Sequence, residues 1–497
     1  MKKIVFNVAV LLGSTAMIAQ SNSSSVDQIG ASNAVDVLQI GDLNYSSIDQ
    51  EGDSNSSEVI QGNDFFFSSN GLVSQSQIGD KNSAYAQHEE TDNVIFQIQN
   101  GNGNTASVVQ NELSFGGGNY GDQEQVGNGN SAGIIQNGIS NSAIQYQVGD
   151  ANTSTAEQDG SVNNSDTYQL GSFNTASVLQ VGDFNFGLQF QTGDANTVNL
   201  EQWGTDNLSY QDQQGTGNTA LSIQGSSAYS SRGGRVDQLQ IGDENYAYAQ
   251  HEEDNNTVQQ VQVGNANSAS ADQNLFAFGG ENVIYQEQEG GGNIATASQN
   301  GSINNATQVQ VGDENSAAAG QEGDGNLLYQ AQFGESNVAT SVQGSFFTSR
   351  EGLVQQIQEG NSNDAYARHE EDNNIISQEQ YGNMNSAYVT QNLATFGGDN
   401  VALQYQEGES NIAQASQEGI SNIVYHYQSG FENIAFSTQD GIGNVSDIYS
   451  SGDLNIAEDL QLGTDNSTYV TQVGTSQRST IIQSGALNDA TVTQVNF

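Results

Sequence analysis

The chain contains no cysteine and no proline in 497 residues. Without cysteine it has neither disulfides nor a thiol nucleophile, so its stability must come from another source. Hydrophobic residues make up only 34%, against about half in ordinary domains. That excludes the several wide globular cores its length would otherwise suggest. Basic side chains are also scarce: 8 Lys and Arg face 58 Asp and Glu, a formal net charge of −50. Such a surface repels nucleic acid and anionic lipid, so neither is an expected partner. No apolar run is long enough to cross a membrane, and membrane insertion is not expected. The one apolar run follows Lys2 and Lys3, goes from Ile4 to Leu12 and is broken only by Asn7. It reads as the core of a secretory signal peptide over residues 1–19, with a mature start at Gln20. High polarity with strong net charge ordinarily means disorder; a period in the sequence overrides that reading.

Gln28, Gln39, Gln50 and Gln61 lie eleven residues apart, and so do Gln125, Gln136, Gln147 and each anchor onward to Gln224. Between Gln28 and Gln494 there are 41 anchor positions, and only His88, His251, His369 and Ser450 are not Gln. Within a unit the pattern is Q-x-G-x-x-N-x-x-x-x-x-Q, as in Gln39, Gly41, Asn44 and Gln50. Of the 40 intervals, 31 carry the glycine. Asn to Gln is an even step, so in a strand both ends and the two middle inner positions share one face. Those middle positions are usually small or aliphatic: Val35 and Val37, Ala106 and Val108, Ala176 and Val178, Ala295 and Ala297. The four residues between Gln and Asn form a tight turn. Glycine there (Gly41, Gly52, Gly182, Gly312) permits positive φ, and Asn also tolerates the left-handed region.

Two strands and two turns make a 22-residue rung. Stacked rungs place like on like, so buried amides can bond to their copies above and below. Such ladders are expected at Gln39, Asn44, Gln50, Asn55, Gln136, Asn141, Gln180, Asn185, Gln299, Asn304, Gln417 and Asn422. The predicted fold is an all-β solenoid of about 20 rungs, roughly 95 Å long. It occupies residues 28–494, after a short lead at 20–27 and before a tail at 495–497. Neither end reads as a cap.

The skeleton with alanine after Asn, as in Gln169-Leu-Gly-Ser-Phe-Asn174-Thr-Ala176-Ser-Val-Leu-Gln180, resembles the curlin repeat of curli fibre subunits. The resemblance covers Gln28 to Gln494. It implies a β-solenoid subunit exported through an outer-membrane channel and assembling with itself, under a nucleator, into surface amyloid for biofilm and adhesion. The chain differs from that family in having several times the usual number of repeats, and in carrying insertions.

Nine intervals lack the turn glycine, in three sets of three beginning at Gln61, Gln224 and Gln343. The first loop of each set carries aromatics: Phe65, Phe66 and Phe67; Tyr229; Phe346 and Phe347. The middle turn starts at His88, His251 or His369, each followed by two Glu. Turns alternate between the two edges of a rung, so all nine fall on one edge. One reading is a decorated edge that presents these residues to a partner; the other is a duplicated block tolerated because loops are cheap. The His-Glu-Glu triplets lie too far apart to share an ion and read as structural substitutions. The G-D-x-N turns, such as those at Asp53 and Asp183, read as solvated turns whose charge deters aggregation, with calcium binding the alternative. No nucleophile elbow or P-loop occurs, and neither catalysis nor a cofactor is expected. The leading expectation is a structural fibre subunit; the alternative is a monomeric adhesin or carbohydrate-binding rod.

Overall fold

The computed structural model describes residues 21–496, apart from 113–114, 276–278 and 346–347. The signal-peptide reading, the start at Gln20, and Phe346 and Phe347 therefore lie outside the described residues. Every regular element described is a β-strand. The chain divides into two units, residues 1–244 and 245–497, and each is a parallel two-sheet solenoid.

In the first unit consecutive strands of six or more residues alternate between the sheets. Ser142–Val148 lies in the first, Thr153–Ser161 in the second, Asn164–Leu170 again in the first and Thr175–Asp183 again in the second. The register is one rung: Gln147 sits beside Gln169, and Gln158 beside Gln180. The second unit repeats this, with Val401–Glu409 beside Ile423–Phe431 and Ile412–Ile420 beside Ile434–Ile442. The first sheet has ten strands in the first unit and eleven in the second. Ser23–Ile29 pairs in register with Tyr45–Glu51, so residues ahead of Gln28 already form a strand.

The even Asn-to-Gln spacing produces alternating burial. In Ser142–Val148 the side chains of Ala143, Gln145 and Gln147 are buried, while those between them are half-exposed. The two sheets fill the interior differently. In the second sheet the middle inner positions are small or aliphatic, as in Ala106 with Val108 and Ala295 with Ala297. In most strands of the first sheet one of the two is glutamine, as in Val73 with Gln75, Ile95 with Gln97 and Ile284 with Gln286, while others carry pairs such as Ser46 with Ile48 or Ser165 with Thr167. The expectation that the middle positions are usually small or aliphatic thus describes the second sheet and not the first. Gln97 shows why an amide is accommodated there. One of its N–H groups donates to Gln123 Oε1 (3.0 Å) and the other to the Tyr85 carbonyl of the opposite sheet (2.9 Å). Both donors are satisfied without water, as burial requires.

The anchor ladders are present. Gln136 donates to Gln158, Gln158 to Gln180 and Gln180 to Gln202, each at 2.8 Å. Gln39 donates to Gln61 (2.6 Å), Gln50 to Gln77 (2.7 Å), Gln299 to Gln321 (2.7 Å) and Gln417 to Gln439 (3.0 Å). The second N–H crosses the core, as from Gln158 to the Ser142 carbonyl (2.9 Å). The asparagines bind side chain and backbone together. Asn174 donates to Asn152 Oδ1 (3.1 Å) and to the Gly193 carbonyl of the next turn (2.8 Å), and its backbone N–H also reaches Asn152 Oδ1 (3.0 Å). Asn44, Asn55, Asn141, Asn185, Asn304 and Asn422 donate to backbone carbonyls of the following turn in the same way.

The turn glycines serve two ends. Gly41, Gly52, Gly182 and Gly312 have φ of 125°, 121°, 118° and 116°. A Cβ at Gly182 would also lie 2.0 Å from the Gly204 carbonyl oxygen stacked on it. The left-handed residue is the one before Asn, as at Leu43, Ser54, Phe184 and Glu314 (φ 57–62°), and not Asn itself. Asn has to start the strand with its amide inward, so the residue ahead of it turns the chain. The turn aspartates also belong to the stack. Asp53, Asp183 and Asp313 each accept the backbone N–H of the turn one rung earlier, from Ala31 (2.7 Å), Ser161 (2.9 Å) and Gly291 (2.8 Å).

Replacing Gly182 by alanine is expected to destabilise by on the order of 3 kcal/mol, because both its conformation and its space are denied. Gly103 also has positive φ (69°) but nothing within 4 Å of its Cβ position. Gly103→Ala should cost about 1 kcal/mol. Guanidinium unfolding midpoints of the two variants check the difference.

Candidate functional site on the irregular edge

In the first unit the loops that follow Gln61, Gln110 and Gln224, and the turn after His88, all come after second-sheet strands. In the second unit the same holds for the turns after His251, Gln273, Gln343, His369 and Gln391. Each unit thus has one regular and one irregular edge. The first-sheet ladders pass the insertions unbroken: the Gln50–Gln77 link spans 27 residues and the Gln97–Gln123 link 26.

Phe65 is 84% exposed, Phe67 is also exposed and Phe66 is half-buried. Phe66 meets Phe115 of the third loop edge to face, with ring centroids 5.4 Å apart. Asn63 builds the first loop, accepting the N–H groups of Phe65 and Phe66 on its Oδ1 (2.8 Å each). Tyr229 is half-buried, and its backbone closes a short turn with Ser226 (2.7 Å).

His88, His251 and His369 are fully buried. They are therefore not presented to any partner, which removes them from the decorated surface. Their burial has a geometric cause. Gly71 and Gly352 occupy slots where regular rungs carry Asn, and a Cβ there would lie 2.0 and 2.2 Å from the imidazole Cε1 of His88 and His369. The ring fills the space of the missing Asn side chain. Gln343 donates to His369 Nε2 (3.1 Å). The proton must then sit on Nδ1, which donates to Ser349 Oγ (3.3 Å), and Ser349 donates to Asn326 Oδ1 (2.9 Å). His88 repeats this with Gln61 (2.9 Å), Ser68 (3.1 Å) and Asn44. A neutral imidazole has only one N–H, so it cannot pass a donor to the next rung. Accordingly Gln110 Oε1, Gln273 Oε1 and Gln391 Oε1, one rung beyond each His, are buried without a donor.

The first Glu of each triplet is buried as well: Glu89, Glu252 and Glu370. Glu370 accepts Ser345 N–H (2.8 Å) and Oγ–H (2.7 Å) from the preceding inserted loop, and pairs with Arg368 (2.9 Å). Glu89 accepts the side-chain amide of Asn63. The buried carboxylate thus pins the inserted loop of the rung before it. His426 lies elsewhere, in the inner Gln column of the first sheet, between Gln404 (3.4 Å) and Ser437 (2.7 Å). Burial lowers His88 and His426 from 6.5 to about 3 and His369 to about 4. Among the described residues no group of three His, Cys, Asp or Glu is arranged to hold a metal ion.

Parallel in-register strands, a 22-residue rung and buried amide ladders define the class: a β-solenoid repeat protein. The chain carries the curlin associated repeat, which is matched at residues 30–62 and 463–495. No curated protein sequence matches the chain.

The His and Gly substitutions should be coupled. Gly352→Asn alone collides with His369, and His369→Gln alone leaves a void beside Gly352. The double variant restores a regular rung and gives Gln391 Oε1 its donor. A double-mutant cycle on unfolding free energy should show at least about 1–3 kcal/mol of favourable coupling. Additive effects would contradict the exchange of one side chain for the other.

Acid should act through the same residues. The folded-state values of His88 and His369 lie below 6.5, so below pH 6.5 the unfolded chain binds protons that the folded chain refuses. Stability is therefore lost as pH falls from 6.5 towards about 4, by up to about 1.4 kcal/mol per pH unit for each His. Asp459, raised by burial to about 6, acts in the opposite sense. It is common to both proteins when the wild type is compared with the Gly352→Asn/His369→Gln variant. The variant should lose less stability between pH 7 and pH 4.5, read as a smaller fall in melting temperature.

Proposed function

We propose that the protein is a secreted structural subunit of an extracellular, curli-like amyloid fibre that assembles end to end for matrix and adhesion. The observation that carries this reading is the uniformity of the rung. Each rung binds the next through groups that nearly every rung repeats: strand backbone, Gln and Asn ladders and the turn carbonyls. A second copy of the chain therefore has the chemistry to bind a first. Gln28 donates to Gln50 (2.7 Å), while Gln494 receives its bond from Gln472 (3.0 Å). Donors thus run in one direction, and a head-to-tail join continues them: the Gln494 amide of one copy would donate to Gln28 Oε1 of the next. A head-to-head join would set donor against donor.

The curlin associated repeat supports export to the cell surface and assembly with a curli-type outer-membrane secretion channel and a nucleator. The solenoid supports a structural and not an enzymatic role. A second reading, a monomeric adhesin or carbohydrate-binding rod, is favoured by the exposed Phe65 and Phe115 on the irregular edge.

Charge separates the two readings. The net −50 opposes association at low salt and is screened beyond about 8 Å at physiological ionic strength. Fibres should form faster as salt rises, lengthen without widening, and give a meridional reflection near 4.7–4.8 Å, seen by negative-stain microscopy and fibre diffraction. A protein that stays monomeric at high concentration in high salt is a binding rod instead.

A further inference from the structure

The outer faces of the second unit carry tyrosines in stacks. Tyr405, Tyr427 and Tyr449 occupy one column on successive rungs. Their ring centroids are 5.0 and 4.9 Å apart, with interplanar angles of 1° and 5°. Tyr366 and Tyr388 form a second stack on the other sheet, 4.6 Å apart at 7°. Tyr388 and Tyr449 are 39% and 38% exposed, so reagents in solution reach them. Stacking covers the ring faces and leaves edges and hydroxyls outward, so these columns are poor platforms for a flat or cationic ligand. They do hold pairs of phenols at van der Waals distance, in a chain with no cysteine to supply covalent ties.

We propose that these columns are sites of oxidative cross-linking, at which tyrosines of adjacent rungs join as dityrosine when a haem peroxidase acts with hydrogen peroxide. The inference rests on the solenoid register and not on fibre assembly. Each of two neighbouring rings loses one electron and its phenolic proton, giving two phenoxyl radicals. A carbon–carbon bond forms between ring carbons ortho to the oxygens. The hydrogen on each of those carbons then shifts to its own ring oxygen, restoring two phenols. Two electrons and two protons have left; they reduce one peroxide, through the peroxidase haem, to two waters. Register makes the coupling intramolecular, which raises the effective concentration of the second ring far above that of a free partner. The Glu407 carboxylate acts electrostatically on both Tyr405 and Tyr427, whose phenols burial already raises.

The structure contains its own controls. Tyr45 has Ser23 and Leu72 as column neighbours, Tyr329 has Thr307 and Gln355, and Tyr469 has Asp447 and Thr491. None of these has a phenol in its own column on the adjacent rung, Tyr449 being only diagonal to Tyr469. In the first unit Tyr168 stacks on Phe190 (4.8 Å, 14°), a ring with no phenolic proton to lose; its other column neighbour, Tyr146, is a phenol but lies 6.4 Å away and tilted at 51°, outside the stacked geometry.

The test treats the full chain, dilute and monomeric by light scattering, with a haem peroxidase and hydrogen peroxide. Dityrosine fluorescence and mass-spectrometric peptide mapping are the readouts. Links are expected between Tyr405 and Tyr427, Tyr427 and Tyr449, and Tyr366 and Tyr388, at a rate independent of protein concentration and with the monomer band retained under denaturing electrophoresis. Tyr427→Phe should abolish the first two links and leave the third. Phe190→Tyr should add a link from position 190 to Tyr168. The proposal is overturned if no dityrosine forms, if links join only separate molecules, or if Tyr45, Tyr329 and Tyr469 react as readily as the stacked residues. The wild-type map and Phe190→Tyr decide the matter even if Tyr427→Phe fails to fold.

Discussion

A buried carboxamide has two N–H donors and a carbonyl oxygen to satisfy, and the whole architecture follows from meeting that demand by repetition. An amide stacked on its own copy at the spacing of β-strands gives one donor up the stack and receives one from below. The remaining donor finds a backbone carbonyl across the core, as Gln158 does at Ser142. This works only if every rung is parallel, in register and of equal inner length. It also brings turn backbones so close that Gly182 has no room for a Cβ. The low hydrophobic content follows as well, since much of the interior is amide and not hydrocarbon.

The same demand explains which irregularities survive. Extra residues are admitted where they leave the inner strands alone, so the insertions bulge from one edge while the ladders inside them continue. Substitution within the ladder is harder. His88 and His369 succeed because Gly71 and Gly352 vacate the space and the hydroxyls of Ser68 and Ser349 accept a hydrogen bond from the imidazole N–H. Even so, the next rung is left with an orphaned acceptor, of a kind worth roughly 1–3 kcal/mol.

The strands, turns and ladders were legible in the sequence because their signal is a fixed spacing with an even interval, repeated along nearly the whole chain. The second glutamine of the first sheet was legible in principle, as a Q-x-Q at most alternate anchors such as Gln75 and Gln77, but it appears only when alternate units are compared. What the motif could not show depends on neighbours one rung away. That His88 is buried follows from a glycine in an Asn slot seventeen positions earlier, at Gly71. That Glu370 is buried follows from the loop at Ser345. Asp183 looked like a solvated turn residue because its partner, Ser161, belongs to the preceding rung.

The uniform direction of the glutamine bonds has an electrical meaning. Each carboxamide is a dipole, and a column of them joined donor to acceptor is a row of dipoles in series, each polarising the next. Between His88 and the end of the first unit, the column from Gln110 through Gln158 to Gln224 runs without interruption. Its leading oxygen is left negative and its far N–H positive, much as the two ends of an α-helix differ. A neutral imidazole ends such a row as an insulator ends a wire. Within each unit such a histidine, His88 in the first and His369 in the second, therefore cuts the second-sheet column into shorter cells, each with its own polarity intact and its field confined to its own stretch of the stack.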